Sequence, residues 1–118
     1  MIIIWSSEID SILGVGQSLE NNGVRNWGLE RDAALVALEK LSEIGVAVLG
    51  GDVYLVTNTG AESNYDNWYC NQEDREAKLD FVSRSIEKAK NYISNYQASS
   101  GSVLFAIVPD QGGRDLEN

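Results

Sequence analysis

Two helical stripes and several shorter extended runs stand out when apolar and polar positions are read along the chain. Ala34, Leu35, Leu38 and Leu41 recur three and four residues apart, which predicts an amphipathic helix over residues 30–44. Gly45 stands where that helix should end, since glycine takes the left-handed C-cap conformation without a Cβ penalty. A longer helix is predicted over residues 73–97, where Leu79, Val82, Ile86, Ala89, Ile93 and Tyr96 form a narrow seam suited to packing on a sheet. Residues 6–13 read as a third, short helix, with Ser6 or Ser7 placed to accept from the free N–H groups of its first turn.

Between the helices the period shortens. V-A-V-L at 46–49 and D-V-Y-L-V-T-N at 52–58 predict two strands. N-Y-D-N-W-Y-C at 64–70 predicts a third, and V-L-F-A-I-V at 103–108 a buried fourth that ends at Pro109. Gly50 and Gly51 separate the first two runs, so the diglycine predicts either a hairpin turn or one strand bent by a bulge. Asn58 and Gly60 mark a turn at 58–61, residues 17–29 read as loop with a short extended piece at Trp27, and residues 110–118 read as a loose tail. The order of elements predicts an α+β fold: one small sheet of about four strands packed against two main helices plus a short N-terminal helix. A single domain over residues 1–118 is expected, with its core at about 6–109.

Composition narrows the function. At 118 residues and 43% hydrophobic, the chain can build a core without staples. Eighteen acidic residues against nine basic ones leave a net charge of −9. Such a surface repels phosphate backbones and anionic lipid heads and steers a basic protein toward it, so neither nucleic acid nor membrane is an expected partner. The chain has no histidine, which removes Cys/His zinc sites, a Ser-His-Asp triad and a His-activated cysteine. Cys70 is the single cysteine and has no partner for an internal disulfide. The apolar start M-I-I-I-W is too short for a signal core or a membrane span, which leads to the expectation of a cytoplasmic protein. No cofactor and no metal is expected.

Two stretches carry the candidate chemistry. Gly50-Gly51-Asp52 enters a strand rather than a helix and lacks a following Lys-Ser/Thr, so it is not a phosphate loop. Its first role is architectural, and its second is to display Asp52 and Tyr54 beside a kink. In Y-D-N-W-Y-C, strand alternation puts Tyr65, Asn67 and Tyr69 on one face and Asp66, Trp68 and Cys70 on the other. Tryptophan and tyrosine serve both as core anchors and as binding hot spots, so both roles stay open. Asp52 and Asp66 would approach if their strands pair, and two carboxylates could serve a glycosidase or hold a divalent metal. With no histidine to move a proton near neutral pH, an enzyme is the less favoured alternative and no catalytic residue is assigned.

With those residues in view, the chain resembles the immunity protein 40 family. The resemblance rests on G-V-R-N-W (23–27), a Leu-rich helix, G-V-A-V-L-G-G-D-V-Y (45–54), Y-D-N-W-Y-C (65–70), R-S-I-E-K-A-K-N-Y-I (84–93) and L-F-A-I-V-P (104–109). It implies a small cytoplasmic antidote encoded beside a bacterial polymorphic toxin, including those of contact-dependent growth inhibition. Each such antidote binds and neutralises the toxin domain of its neighbour without catalysis of its own. The implied partner is a cognate toxin C-terminal domain, held in a one-to-one heterodimer. A nuclease with a basic cleft would suit the charge of this chain. Asp52, Tyr54, Asp66, Trp68 and Tyr69 are the strand candidates for partner contact. Asp74, Glu76 and Asp80 are candidates on the long helix, where carboxylates would stand in for phosphates. Trp27, Gly50, Gly51 and Val53 are assigned to the framework. Glu30 departs from the Ser or Thr expected as helix cap. The alternatives are an adaptor or regulatory subunit for another basic protein, and a small carboxylate- or metal-dependent hydrolase.

Overall fold

A computed structural model describes residues 3–98 and 101–110. The elements are α1 (Ser7–Leu13), β1 (Gln17–Ser18), a 3-10 turn (Glu20–Asn22), β2 (Trp27–Gly28), α2 (Arg31–Glu43), β3 (Val48–Thr57), β4 (Gly60–Tyr69), α3 (Lys78–Asn95) and β5 (Val103–Pro109). The fold is mixed α+β, as the periodicities predict. Its main sheet has the order β4-β3-β5 and is antiparallel throughout. The β1–β2 ribbon joins the β5 edge through one bridge, in which Leu29 and Phe105 exchange N–H···O bonds of 2.9 and 2.7 Å. Helices α2 and α3 pack on each other and on the sheet. Leu38, Leu41, Val53, Ile93, Phe105 and Ile107 are fully or almost fully buried between these layers. Among the described residues no helix is long and apolar enough to cross a membrane.

The main sheet has three strands rather than four, because the runs at 46–49 and 52–58 belong to one strand. Strand β3 passes through the diglycine without turning: Gly50 pairs with Tyr69 and Val108, and Gly51 with Trp68 and Ile107. The bulge reading is the one realised, with a register shift between Val48 and Gly50 against β5. The hairpin lies instead between β3 and β4, across Asn58 and Thr59, and β4 begins at Gly60 rather than 64.

Local chemistry explains the ends of the helices. Ser6 caps α1 by accepting from the Ile9 N–H at 3.0 Å, while Asp10 accepts from Ile4 and Trp5. Helix α2 begins after Glu30, which makes no side-chain cap. It ends in paired bonds from Gly45 N–H to Ser42 O and from Val46 N–H to Leu41 O, with Gly45 at φ 71°.

Helix α3 starts at Lys78, not 73, because the preceding segment is clamped in another shape. Glu76 accepts from the Glu73 N–H at 2.9 Å and from Arg84 Nε and Nη2 at 2.8 and 2.7 Å. Arg84 also donates to Asn71 O and Cys70 Sγ. Leu79 falls in the first exposed turn and is 72% exposed, so it leaves the predicted seam. Phe81 and Ser85 join Val82, Ile86, Ala89 and Ile93 on the buried face. Ser85 is satisfied there, accepting from the Val48 N–H and donating to Val82 O. The expected tail lies, from residue 111 on, outside the described residues.

Candidate functional site

The diglycine exists to seat an indole. Trp68 is the direct cross-strand partner of Gly51. A Cβ on Gly51 would lie 2.6 Å from Trp68 Cζ3 and 2.6 Å from Ala106 O. Gly50 is at φ 155°, and a Cβ there would lie 2.9 Å from Tyr69 Cα. Only glycine lets the ring and the neighbouring strand come so close.

From Trp68 an aromatic series runs along the helix-facing side of the sheet. Trp68 stacks on Tyr92 at 4.7 Å and 28°, Tyr92 meets Tyr96 at 5.7 Å, and Tyr96 meets Phe105 edge-on at 5.7 Å. The Tyr96 hydroxyl donates to Asp66 Oδ2 at 2.6 Å and accepts from Asn64 Nδ2 at 2.7 Å. Burial raises the Tyr92 and Tyr96 phenols above their ordinary range, and the Asp66 charge adds to both. The alternation predicted for 65–70 is realised: Trp68 and Cys70 are buried, while Tyr65, Asn67 and Tyr69 are exposed. Among the candidates, Trp68 therefore belongs to the helix-facing side and Val53 is fully buried in the same layer, while Asp66 is exposed and tied to that side by its bond from Tyr96. Trp27 is half-buried beside Trp5, with ring centroids 6.4 Å apart.

The opposite face is divided. At one end Tyr54 is 6% exposed and packs with Leu19, Leu104 and Ala106, with Val24 against them. The Asn22 side chain fastens this cover by donating to Ala61 O at 2.8 Å. At the other end the face is open. A shallow notch of about 200 Å³ lies over the diglycine, lined by Leu49, Gly50, Gly51, Asp52, Asn67, Trp68 and Val108. Asp52 and Asn67 are direct cross-strand partners. No hydrogen bond or ion pair engages the Asp52 carboxylate among the described residues, and partial burial pushes its pKa up. Burial and the Asp52 charge together raise the Tyr54 phenol.

Beside this open end two tyrosines project, Tyr69 at 67% exposure and Tyr65 at 86%. The Lys88 ammonium lies 5.3 Å from the Tyr69 ring centroid. Tyr65 sits at φ 71°, a left-handed conformation that costs an L-residue about 1–2 kcal/mol. Three bonds hold it: Tyr65 N–H to Ser63 Oγ, Asp66 N–H to Asn64 Oδ1, and Asn67 Nδ2 to Tyr65 O, at 3.1, 3.0 and 3.2 Å. Tyr65 and Asn67 were not among the sequence candidates. Ser63 and Asn64 carry the signal that points to them, since serine and asparagine side chains favour bonds to the backbone two residues on.

The structure separates the remaining candidates. Asp74 and Glu76 precede α3, and Asp80 lies in its first turn. Glu76 is held by Arg84, which pushes its carboxyl down to about 2. Asp52 and Asp66 lie on neighbouring strands but face opposite sides, so the two-carboxylate site is not assembled. Among the described residues no group of three potential metal ligands occurs. The strands β3, β4 and β5 carry Asp52, Glu62 and Asp66 and contain no lysine or arginine. Two ion pairs, Arg84–Glu76 and Lys90–Glu39, are formed among the described residues, and neither reaches the sheet acids.

These features define a small α+β domain with one sheet face sealed by helices and the other left partly open, acidic and rimmed by exposed tyrosines. The sequence model of the family described as immunity protein 40 matches residues 18–109, and the chain belongs to that family. The match takes in all three strands of the main sheet. No curated protein and no solved structure matches the chain. The family's name implies an immunity protein that binds a cognate toxin.

Proposed function

We propose that this protein neutralises an antibacterial toxin domain by binding it through the open end of the β3–β4 face, without catalysis of its own. The toxin is a nuclease whose basic active-site cleft is covered, in a one-to-one complex formed in the bacterial cytoplasm. The toxin belongs to a polymorphic system of the contact-dependent growth inhibition type. Support comes from the family and from one observation: the three main strands carry only acidic charge, beside two projecting tyrosines. Tyrosine supplies a large contact area at low conformational cost, and unpaired carboxylates steer a basic partner to it. Binding by strand addition to β4 is disfavoured, because the N–H groups of Tyr65 and Asp66 are already held by Ser63 and Asn64.

Co-expression with the toxin-encoding neighbour, followed by pull-down and growth rescue, tests this reading. The wild-type chain should protect cells and co-purify with the toxin. The association rate should fall steeply with salt, and Glu62→Lys and Asp52→Lys should slow it. A protected cell with no complex, or a complex indifferent to both reversals and to salt, counts against occlusion by this face.

A further inference from the structure

We infer that the notch over the diglycine is a seat for one arginine side chain of the partner. The inference rests on the immunity reading and gives that face a specific ligand. The notch offers two acceptors, the Asp52 carboxylate and Asn67 Oδ1. Asn67 donates through Nδ2 to Tyr65 O, which fixes the amide orientation and leaves Oδ1 free to accept. The Asp52 carboxylate stands directly across the strand pair from it. Cross-strand partners hold their Cβ atoms about 5 Å apart, which suits the forked N–H groups of a guanidinium.

Three further features favour arginine over lysine. Leu49 and Val108, which line the notch, are apolar, and Gly50 and Gly51 add no side chain to it. A planar, weakly hydrated guanidinium enters such a slot more readily than a compact, strongly hydrated ammonium. The notch holds about 200 Å³, which limits it to one side-chain head. Among the described residues no cation lines it: the three strands have no basic residue, and Lys88 lies over Tyr69. Asp52 is thus an exposed carboxylate with no hydrogen bond or ion pair among the described residues, open to a cation from outside.

The test titrates N-acetyl-arginine amide, and separately N-acetyl-lysine amide, into the isotope-labelled full chain and follows amide resonances. Arginine should shift the backbone amides of Gly50 and Gly51 and the side-chain amide of Asn67, leaving α1 and α2 unmoved. Asp52→Asn should weaken the response about tenfold, the scale of one charge-assisted bond. Asn67→Ala should weaken it as well, which keeps the test open if either variant folds poorly. Equal shifts with lysine, shifts scattered over all acidic surfaces, or an unchanged response in Asp52→Asn would overturn the assignment. The outcome is separate from growth rescue. A wild-type chain that binds arginine in the notch but protects no cell defeats the immunity reading alone. An Asp52→Asn chain that protects fully defeats the notch as the partner's seat.

Discussion

The two faces of the β3–β4 pair use the same residue types to opposite ends. On the helix side Trp68, Tyr92 and Tyr96 stack in series, and Asp66 takes its hydrogen bond from Tyr96. On the open side Tyr65 and Tyr69 sit a few residues away with most of their surface in water, and Asp52 is exposed beside them. The difference is in what each group already has. Every carboxylate and ring of the first set has a partner within the chain. Asp52 has none among the described residues, and Tyr65 is held in a costly conformation that leaves its ring outside. A buried, stacked set of aromatics stabilises a fold, and an exposed one is available for recognition.

Substitutions can break this contrast, and the largest effect belongs to the helix side. Gly51→Val places side-chain atoms inside the indole and against Ala106 O, and should abolish cooperative folding as read by urea denaturation. Trp68→Ala should cost about 3–5 kcal/mol in the same measurement. A loss below 1 kcal/mol would mean that the stack is not the core element described here. On the open side the order of effects reverses. Tyr65→Ala together with Tyr69→Ala should change stability by less than about 0.5 kcal/mol per site. The pair should nonetheless weaken toxin binding at least about tenfold, the scale of an interface hot spot. Full binding by that double variant would place the interface elsewhere.

Two smaller effects sharpen the picture. Tyr65→Gly relieves the left-handed backbone and should raise stability by about 1 kcal/mol or less, a gain that an ordinary strand residue would not show. The Arg84 clamp gives a pH signature. Glu76 is held at about 2 against an ordinary 4.5, so its contribution is complete above about pH 4.5 and fades as pH falls toward 2. Glu76→Gln should flatten that part of the stability profile. Asp52 runs the other way, since burial raises its pKa and the ionised form is the less favoured one in the fold. Asp52→Asn should therefore be neutral or slightly stabilising at pH 7, with the difference vanishing in acid. A marked loss of stability at pH 7 would show that Asp52 holds the fold together.

Part of the site was legible in advance. Alternation put Trp68 and Cys70 on one face and Tyr69 on the other, and the fold buries the first face, because a strand's period of two survives wherever one face is buried. Tyr65 and Asn67 escaped, since the bulge between Ser63 and Asn67 depends on side-chain bonds to backbone rather than on period. Glu76 was read as a free helix acid. Its carboxylate is taken by Arg84, eight residues on and reached only after the chain turns back.

By itself the sequence determined the two main helices, the buried strand at β5, the α+β class and the excess of negative charge, because these follow from local periodicity and from counting. Tertiary structure alone decided that the two runs flanking the diglycine are one strand, that Trp68 lies over Gly51, and that Asp66 is bonded by Tyr96 while Asp52 has no such bond among the described residues. Those outcomes follow from strand register. Register is set by how distant segments fill space against each other, so no single segment contains it.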